Sequence, residues 1–279
     1  MARGLPVLRR RIGSIKATKK VTKAMQMIAT TKLKTWKQSM LESKLYAEKL
    51  VEIVQTNLHH EDLKGSVFFK QDTQLPTLYV VVTSNLGLCG AYNYNVLNHF
   101  TQQVKPMDQT IIIGEKGLRF AKNTGLSHQA EFVQAGSLQD APLSLLIQGI
   151  LKKYQAREVG KVVVVYTKFI NSLIFQPATL NLLPLSLETF KGEVSQLPPL
   201  IEPDPLSVFE KLMPFYLKNT LYASLIESQV SEQSSRRNAM EKASDNADDL
   251  VEQLQLEFNK QRQANITQEI AEIIGGASA

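Results

Sequence analysis

With 279 residues the chain can build one or two domains around a real core, and its single cysteine, Cys89, excludes an intramolecular disulfide and fits a reducing compartment. No apolar run approaches the ~18–20 residues that cross a bilayer. The net charge of +6 is unevenly spread, because every Arg and Lys from Arg3 to Lys37 precedes the first acid, Glu42. Such a block invites nucleic acid, an anionic membrane or an acidic protein surface. An Arg-rich start also resembles a mitochondrial transit peptide, but here the helical pattern continues unbroken past residue 50.

From about Leu5 to Leu58 the only breakers are Gly4, Gly13 and Pro6, so a long helix is expected. Ile12, Ile15, Val21, Met25, Ile28, Trp36, Met40, Leu45 and Ile53 give it an imperfect apolar stripe. The middle of the chain changes character. Leu78 to Thr83 is a β-branched run that reads as a buried strand. The loop Ser84-Asn85-Leu86-Gly87-Leu88-Cys89-Gly90 leads into a helix over Tyr92 to Val104. A second strand is expected at Ile111 to Ile113 and a short helix over Lys116 to Lys122. Pro142 opens a helix running to Gln155, Val162 to Tyr166 is a third strand, and Phe169 to Leu183 returns as its hairpin partner. Strands alternating with helices predict a mostly parallel α/β sheet.

The Pro-rich stretch from Leu185 to Pro205 connects this sheet to a second long helix, most clearly from Phe215 to Ile274. At 1.5 Å per residue that helix spans on the order of 90–100 Å, too long for the interior of its own domain. Its apolar positions are Leu217, Leu221, Leu225, Ala239, Met240, Ala243, Ala247, Leu250, Leu254 and Phe258. Ser231 to Asn238 contains no apolar residue, which suits a coiled-coil strand with a small-residue or polar seam. Ile266, Ile270, Ile273 and Ile274 form an apolar tip that needs its own partner strand or a collar on another protein. The division expected is 1–60 for the N-terminal helix, 61–205 for an α/β domain inserted between the helices, and 206–279 for the C-terminal helix.

Chemistry is hard to place on this frame. Gly87-Leu88-Cys89-Gly90 follows a strand and opens a helix, yet it lacks the three-glycine fingerprint. No Gly-x-x-x-x-Gly-Lys-Ser/Thr occurs, and Gly114-Glu115-Lys116-Gly117 has no support beyond following a strand, so tight turns are the expectation at both. His59, His60, Glu61 and Asp62 read as a solvated helix end and Cys89 as a small buried residue. No catalytic residue, cofactor or metal site is expected. A basic coiled-coil protein binding nucleic acid is the alternative function, with an affinity slope near −0.9 per phosphate neutralised. A dinucleotide-dependent enzyme built on the sheet is another.

Four segments resemble one family. Arg11-Ile12-Gly13-Ser14-Ile15-Lys16-Ala17-Thr18-Lys19-Lys20-Val21-Thr22-Lys23-Ala24-Met25-Gln26-Met27-Ile28-Ala29 is similar to the opening of the gamma subunit of F-type ATP synthases. Asn259 to Ile270, followed by Gly275-Gly276, resembles its end, and Gly87 to Asn93 and Glu202-Pro203-Asp204-Pro205 resemble its middle. The family's usual Ser-Asp-Arg before the glycine loop departs here to Asn85 and Leu86, and its Ser-Glu-His-x-x-Arg pattern has Gln233 for the His. Both departures bear on local surface contacts. The single cysteine argues against thiol regulation.

The resemblance implies a bacterial-type central-stalk rotor: an antiparallel coiled coil of the terminal helices with a Rossmann-like α/β middle domain. Its implied partners are the alpha and beta subunits of the catalytic ring, the epsilon subunit and the membrane c-ring, with a single copy per complex and no nucleic acid. It implies a non-catalytic, peripheral membrane protein on the cytoplasmic face of the bacterial inner membrane. It also implies a beta-subunit interface at Lys23, Met25, Lys32, Arg262, Gln263, Thr267 and Glu269.

Overall fold

The computed structural model describes residues 4–57, 63, 65–70, 72–126, 140–190 and 202–277. His59, His60, Glu61 and Asp62 lie outside them, as does most of the Pro-rich connection. The chain forms two compact units, Met1–Thr31 with Arg236–Ala279, and Lys32–Ser235.

The larger unit is built on a four-stranded sheet, β1 (Thr77–Val82), β2 (Gln109–Ile113), β3 (Lys161–Phe169) and β4 (Phe175–Leu183), in the order β2-β1-β3-β4. β1 runs parallel to both β2 and β3, and β4 returns antiparallel to β3 as the expected hairpin partner. Between the strands lie α2 (Tyr92–Thr101), α3 (Glu115–Thr124) and α4 (Asp140–Gln155). Period-two alternation sends Leu78, Val80, Val82, Val162 and Val164 to one face, where they pack with Leu143, Leu146, Ile147 and Ile150 of α4. Tyr79, Val81, Val163 and Val165 point the other way, onto Val96, Leu97 and Phe100 of α2. Burial on both faces explains why these strands are near-continuous apolar runs. Gly114 has a φ of 102°, and a Cβ there would collide with the Thr83 carbonyl oxygen, so only glycine fits this turn into α3.

The two terminal helices are α1 (Gly4–Asn57) and α5 (Pro205–Ala277). α5 begins earlier than its apolar pattern suggests, because Asp204-Pro205 is a helix start. The Asp204 carboxylate accepts the Ser207 N–H at 2.9 Å and the Ser207 hydroxyl at 2.7 Å, and Pro205 occupies the first helical position, where no N–H is required. These bonds, the side-chain hydroxyl first, hold the Asp204 carboxyl below the usual carboxylate range. Pro214 lies within the helix without ending it.

In the smaller unit the helices pair antiparallel. Gly4 lies against Gln261, the Lys19 ammonium is 2.5 Å from the Asp248 carboxylate, and the hydroxyls of Thr22 and Ser244 are 2.7 Å apart. The covered positions of α5 here are Met240, Ser244, Ala247, Val251, Leu254, Phe258 and Gln261, spaced alternately by four and three. The same alternation runs along α1 through Leu8, Ile12, Ile15, Lys19, Thr22, Gln26 and Ala29 in this unit. It continues through Leu33, Trp36, Met40, Ser43, Ala47, Leu50 and Val54 in the larger one.

This heptad corrects the apolar stripes expected from sequence. Val21, Ile28, Leu45 and Ile53 of α1 and Leu250 of α5 are exposed. Their places on the seam are taken by smaller or polar side chains such as Thr22, Ala29, Ser43 and Ser244. Seam residues are selected for close approach of two helices, and bulk alone does not identify them.

Candidate coupling surfaces

The residues implied as a partner interface fall at separate levels. On α1, Lys23 is exposed, Met25 is half-buried beside the seam, and Lys32 is exposed in the larger unit. On α5, Arg262, Gln263, Thr267 and Glu269 are all exposed, the Thr267 hydroxyl donating to the Gln263 carbonyl at 2.9 Å. Lys23 lies next to Thr22, which faces Ser244, so along α5 it is separated from Arg262 by about 28 Å. Within the smaller unit, Lys23 and Met25 therefore lie at one level of the helix pair and Arg262, Gln263, Thr267 and Glu269 at another.

Because Gly4 meets Gln261, α5 from Arg262 onward extends past the described part of α1. That is why Ile266, Ile270, Ile273 and Ile274 are exposed, Ile273 by 71%. Within the basic block, Lys19 is engaged by Asp248, and Lys37 stands 5.0 Å over the Phe169 ring. Arg9, Arg10, Arg11, Lys16, Lys20, Lys23, Lys32 and Lys34 are exposed.

The glycine loop is a closed turn. Its Ser84 N–H is accepted by the Asn93 side-chain oxygen at 3.0 Å, and the Asn93 amide donates to the Ser84 hydroxyl at 2.8 Å. Leu88 and Gly90 both have positive φ, 61° and 55°, which turns Cys89 inward and leaves Leu86 and Leu88 exposed. Asn85, one of the family departures, caps α3 by accepting the Glu115 N–H at 3.3 Å.

Sequence reasoning missed the buried polar face of α5 between Glu227 and Arg236. It reads as a gap in the apolar stripe, yet Ser228, Ser231, Glu232, Gln233, Ser234 and Ser235 are all buried. Gln233, expected to bear on a surface contact, is only 5% exposed. Ser224, Ser228, Ser231 and Ser235 recur at helical spacing, and that repeat was the available signal. The Tyr92 hydroxyl lies 2.7 Å from Ser228 Oγ, and the Ser235 hydroxyl donates to the Cys89 carbonyl at 2.6 Å. Glu227 accepts the Phe169 N–H at 3.1 Å. Burial pushes the Glu227 carboxyl above its ordinary value, opposed by the Phe169 N–H, the Tyr166 hydroxyl and Lys168. Burial and the neighbouring Glu227 raise the Tyr166 phenol in turn.

These features define a protein in which an α/β domain is inserted between two helices that pair antiparallel through a heptad seam. A family model described as ATP synthase matches residues 4–279. The ATP synthase gamma chain of Clostridium novyi is 35% identical over 283 residues, covering 99% of this chain and 98% of that one. That of Mycoplasma mobile is 35% identical over 98% of both chains. Among solved structures, a chain of the Euglena gracilis mitochondrial ATP synthase OSCP/F1/c-ring assembly has the same fold at a TM-score of 0.71 and 19% identity, covering 100% of this chain and 95% of that one. The chain belongs to the ATP synthase gamma chain family.

Proposed function

We propose that the chain is the central-stalk rotor of an F-type ATP synthase. It couples ion-driven rotation to ATP synthesis or hydrolysis on the beta subunits and performs no chemistry itself. The observation that carries this reading is the end of α5, where exposed isoleucines and the exposed pair Arg262 and Gln263 extend past Gly4. In a gamma chain such a tip fits an apolar collar formed by the alpha and beta subunits. The exposed cations of α1 fit acidic loops of the beta subunits. A shaft without threefold symmetry touches three equivalent sites differently, and that difference in contact energy biases them into different conformations.

The beta-facing residues in this reading are Lys23, Met25, Lys32, Arg262, Gln263, Thr267 and Glu269. The functional division is residues 1–60 and 206–279 as the shaft and 61–205 as the domain that meets the epsilon subunit and the membrane c-ring. One copy serves each complex, peripheral to the membrane on the cytoplasmic face of a bacterial inner membrane. The test is reconstitution of the enzyme complex with and without the chain, reading ATP-driven proton pumping and identifying co-purifying chains by mass. Pumping that does not depend on this chain overturns the proposal.

A further inference from the structure

β3 extends beyond its inner neighbour. β1 accompanies it only to Val165, which stands opposite Val81, whereas β3 continues to Phe169. On the other side β4 pairs with it throughout, but the alternation of an antiparallel ladder turns the backbone groups of Thr167 and Phe169 away from β4. Pro177 stands opposite Thr167, a position where its missing N–H costs nothing. The outer half of β3 therefore presents an unpaired edge toward the space that β1 has vacated.

Side chains of α5 fill that edge as a strand would. The Thr167 N–H is accepted by Ser228 Oγ at 3.3 Å. The Ser231 hydroxyl is shared between the Thr167 carbonyl at 3.1 Å and the Glu227 carbonyl of its own helix at 3.0 Å. The Phe169 N–H is accepted by Glu227 Oε1 at 3.1 Å. One turn further on, Ser235 holds the Cys89 carbonyl of the loop after β1 at 2.6 Å. Earlier on the same helix, Leu217, Leu221 and Leu225 meet the sheet through apolar packing alone. At Glu227 the chemistry of the contact changes.

We propose that Glu227, Ser228, Ser231 and Ser235 form a torsional key, a set of positioning residues that fixes the rotational setting of α5 against the α/β domain. This rests on the rotor reading, in which load entering at that domain leaves along α5. Apolar packing is non-directional and tolerates small rotations. Hydrogen bonds weaken steeply with misalignment, and a buried donor left without its acceptor is penalised in full. A turn of α5 by one residue, about 100°, would orphan the Thr167 N–H and carbonyl and the Phe169 N–H together. The helix thus has one setting against the sheet, and it resists being twisted out of it.

The test uses the reconstituted membrane complex carrying Ser228→Ala with Ser231→Ala, and separately Glu227→Leu and Glu227→Gln. The readouts are protons pumped per ATP hydrolysed and amide exchange at Thr167 and Phe169. The alanine pair and Glu227→Leu are expected to speed exchange at these amides at least about tenfold. They should also lower pumping per ATP at least about threefold, with slip growing as the opposing ion gradient rises. Glu227→Gln keeps an acceptor oxygen and should keep the unmodified ratio. If the amides are released and pumping per ATP stays at the unmodified value under load, the key is overturned. Should the double variant fail to assemble, Ser231→Ala alone, read by the same ratio and exchange, decides between these outcomes. Failure of the unmodified chain to support any pumping sinks the rotor reading, and that control is scored separately.

Discussion

Thr22 of α1 and Ser244 of α5 share a hydrogen bond of 2.7 Å on the seam between two helices, where a larger apolar pair would ordinarily sit. A polar pair at such a position costs some stability and specifies register, because sliding either helix breaks the contact between the two hydroxyls. Cysteines placed at 22 and 244 should oxidise to a disulfide, which requires Cα atoms within about 7 Å. Cysteines at 21 and 244 should not, since Val21 is exposed. Cross-linking by the second pair and not the first would overturn the register.

Arg262→Ala with Gln263→Ala tests the implied beta-subunit contact. Both side chains are exposed, so the helicity of the isolated chain should not change. In the reconstituted complex a guanidinium on a partly desolvated carboxylate is worth about 1.5–3 kcal/mol, and ATPase turnover should fall several-fold. Turnover equal to that of the unmodified complex removes these two residues from the interface.

Two glycines should respond in opposite directions to alanine. Gly114→Ala meets the Thr83 carbonyl at a positive φ, and a loss of about 1–3 kcal/mol is expected from denaturant unfolding. Gly13 lies inside α1 with open space around its Cα, and Gly13→Ala should stabilise by about 0.5–1 kcal/mol. Matching signs would contradict the local geometry at one of them.

Asp204 gives a pH-dependent expectation. Its carboxyl is depressed in the folded chain, so its contribution is present above the ordinary carboxylate value and is lost as pH falls through the lower folded value. Asp204→Ala should lower the melting temperature at pH 7, and the gap to the unmodified chain should narrow as pH falls below about 4. A gap that persists undiminished at pH 2 would mean that the charge of the cap contributes nothing.

The α/β domain was legible because its strands are buried on both faces. Val162 to Tyr166 can hardly be anything else, and the hairpin back to Leu183 follows from it. The helix pair was legible in existence but not in detail. Val21, Ile28, Leu45, Ile53 and Leu250 draw attention by their size, whereas the seam at Thr22, Ala29, Ser43 and Ser244 shows only in the alternation of four and three. The polar run after Val230 misled for a related reason. Ser231 and Ser235 meet their burial there with hydrogen bonds to backbone carbonyls, and a hydropathy pattern cannot register them. Arg262 and Gln263 are implied as contact residues by the resemblance alone, whereas their exposure was legible in the polarity of their neighbours.

Ile266, Ile270, Ile273 and Ile274 at the end of α5 are exposed, as are Val21, Ile28, Leu45 and Ile53 of α1. Apolar surface of this kind marks either a binding face or an aggregation hazard, and which it becomes depends on what is nearby. A cell that makes the chain faster than its collar must cover, refold or degrade the surplus. Matched production of the subunits is therefore a requirement written into the surface of the molecule itself.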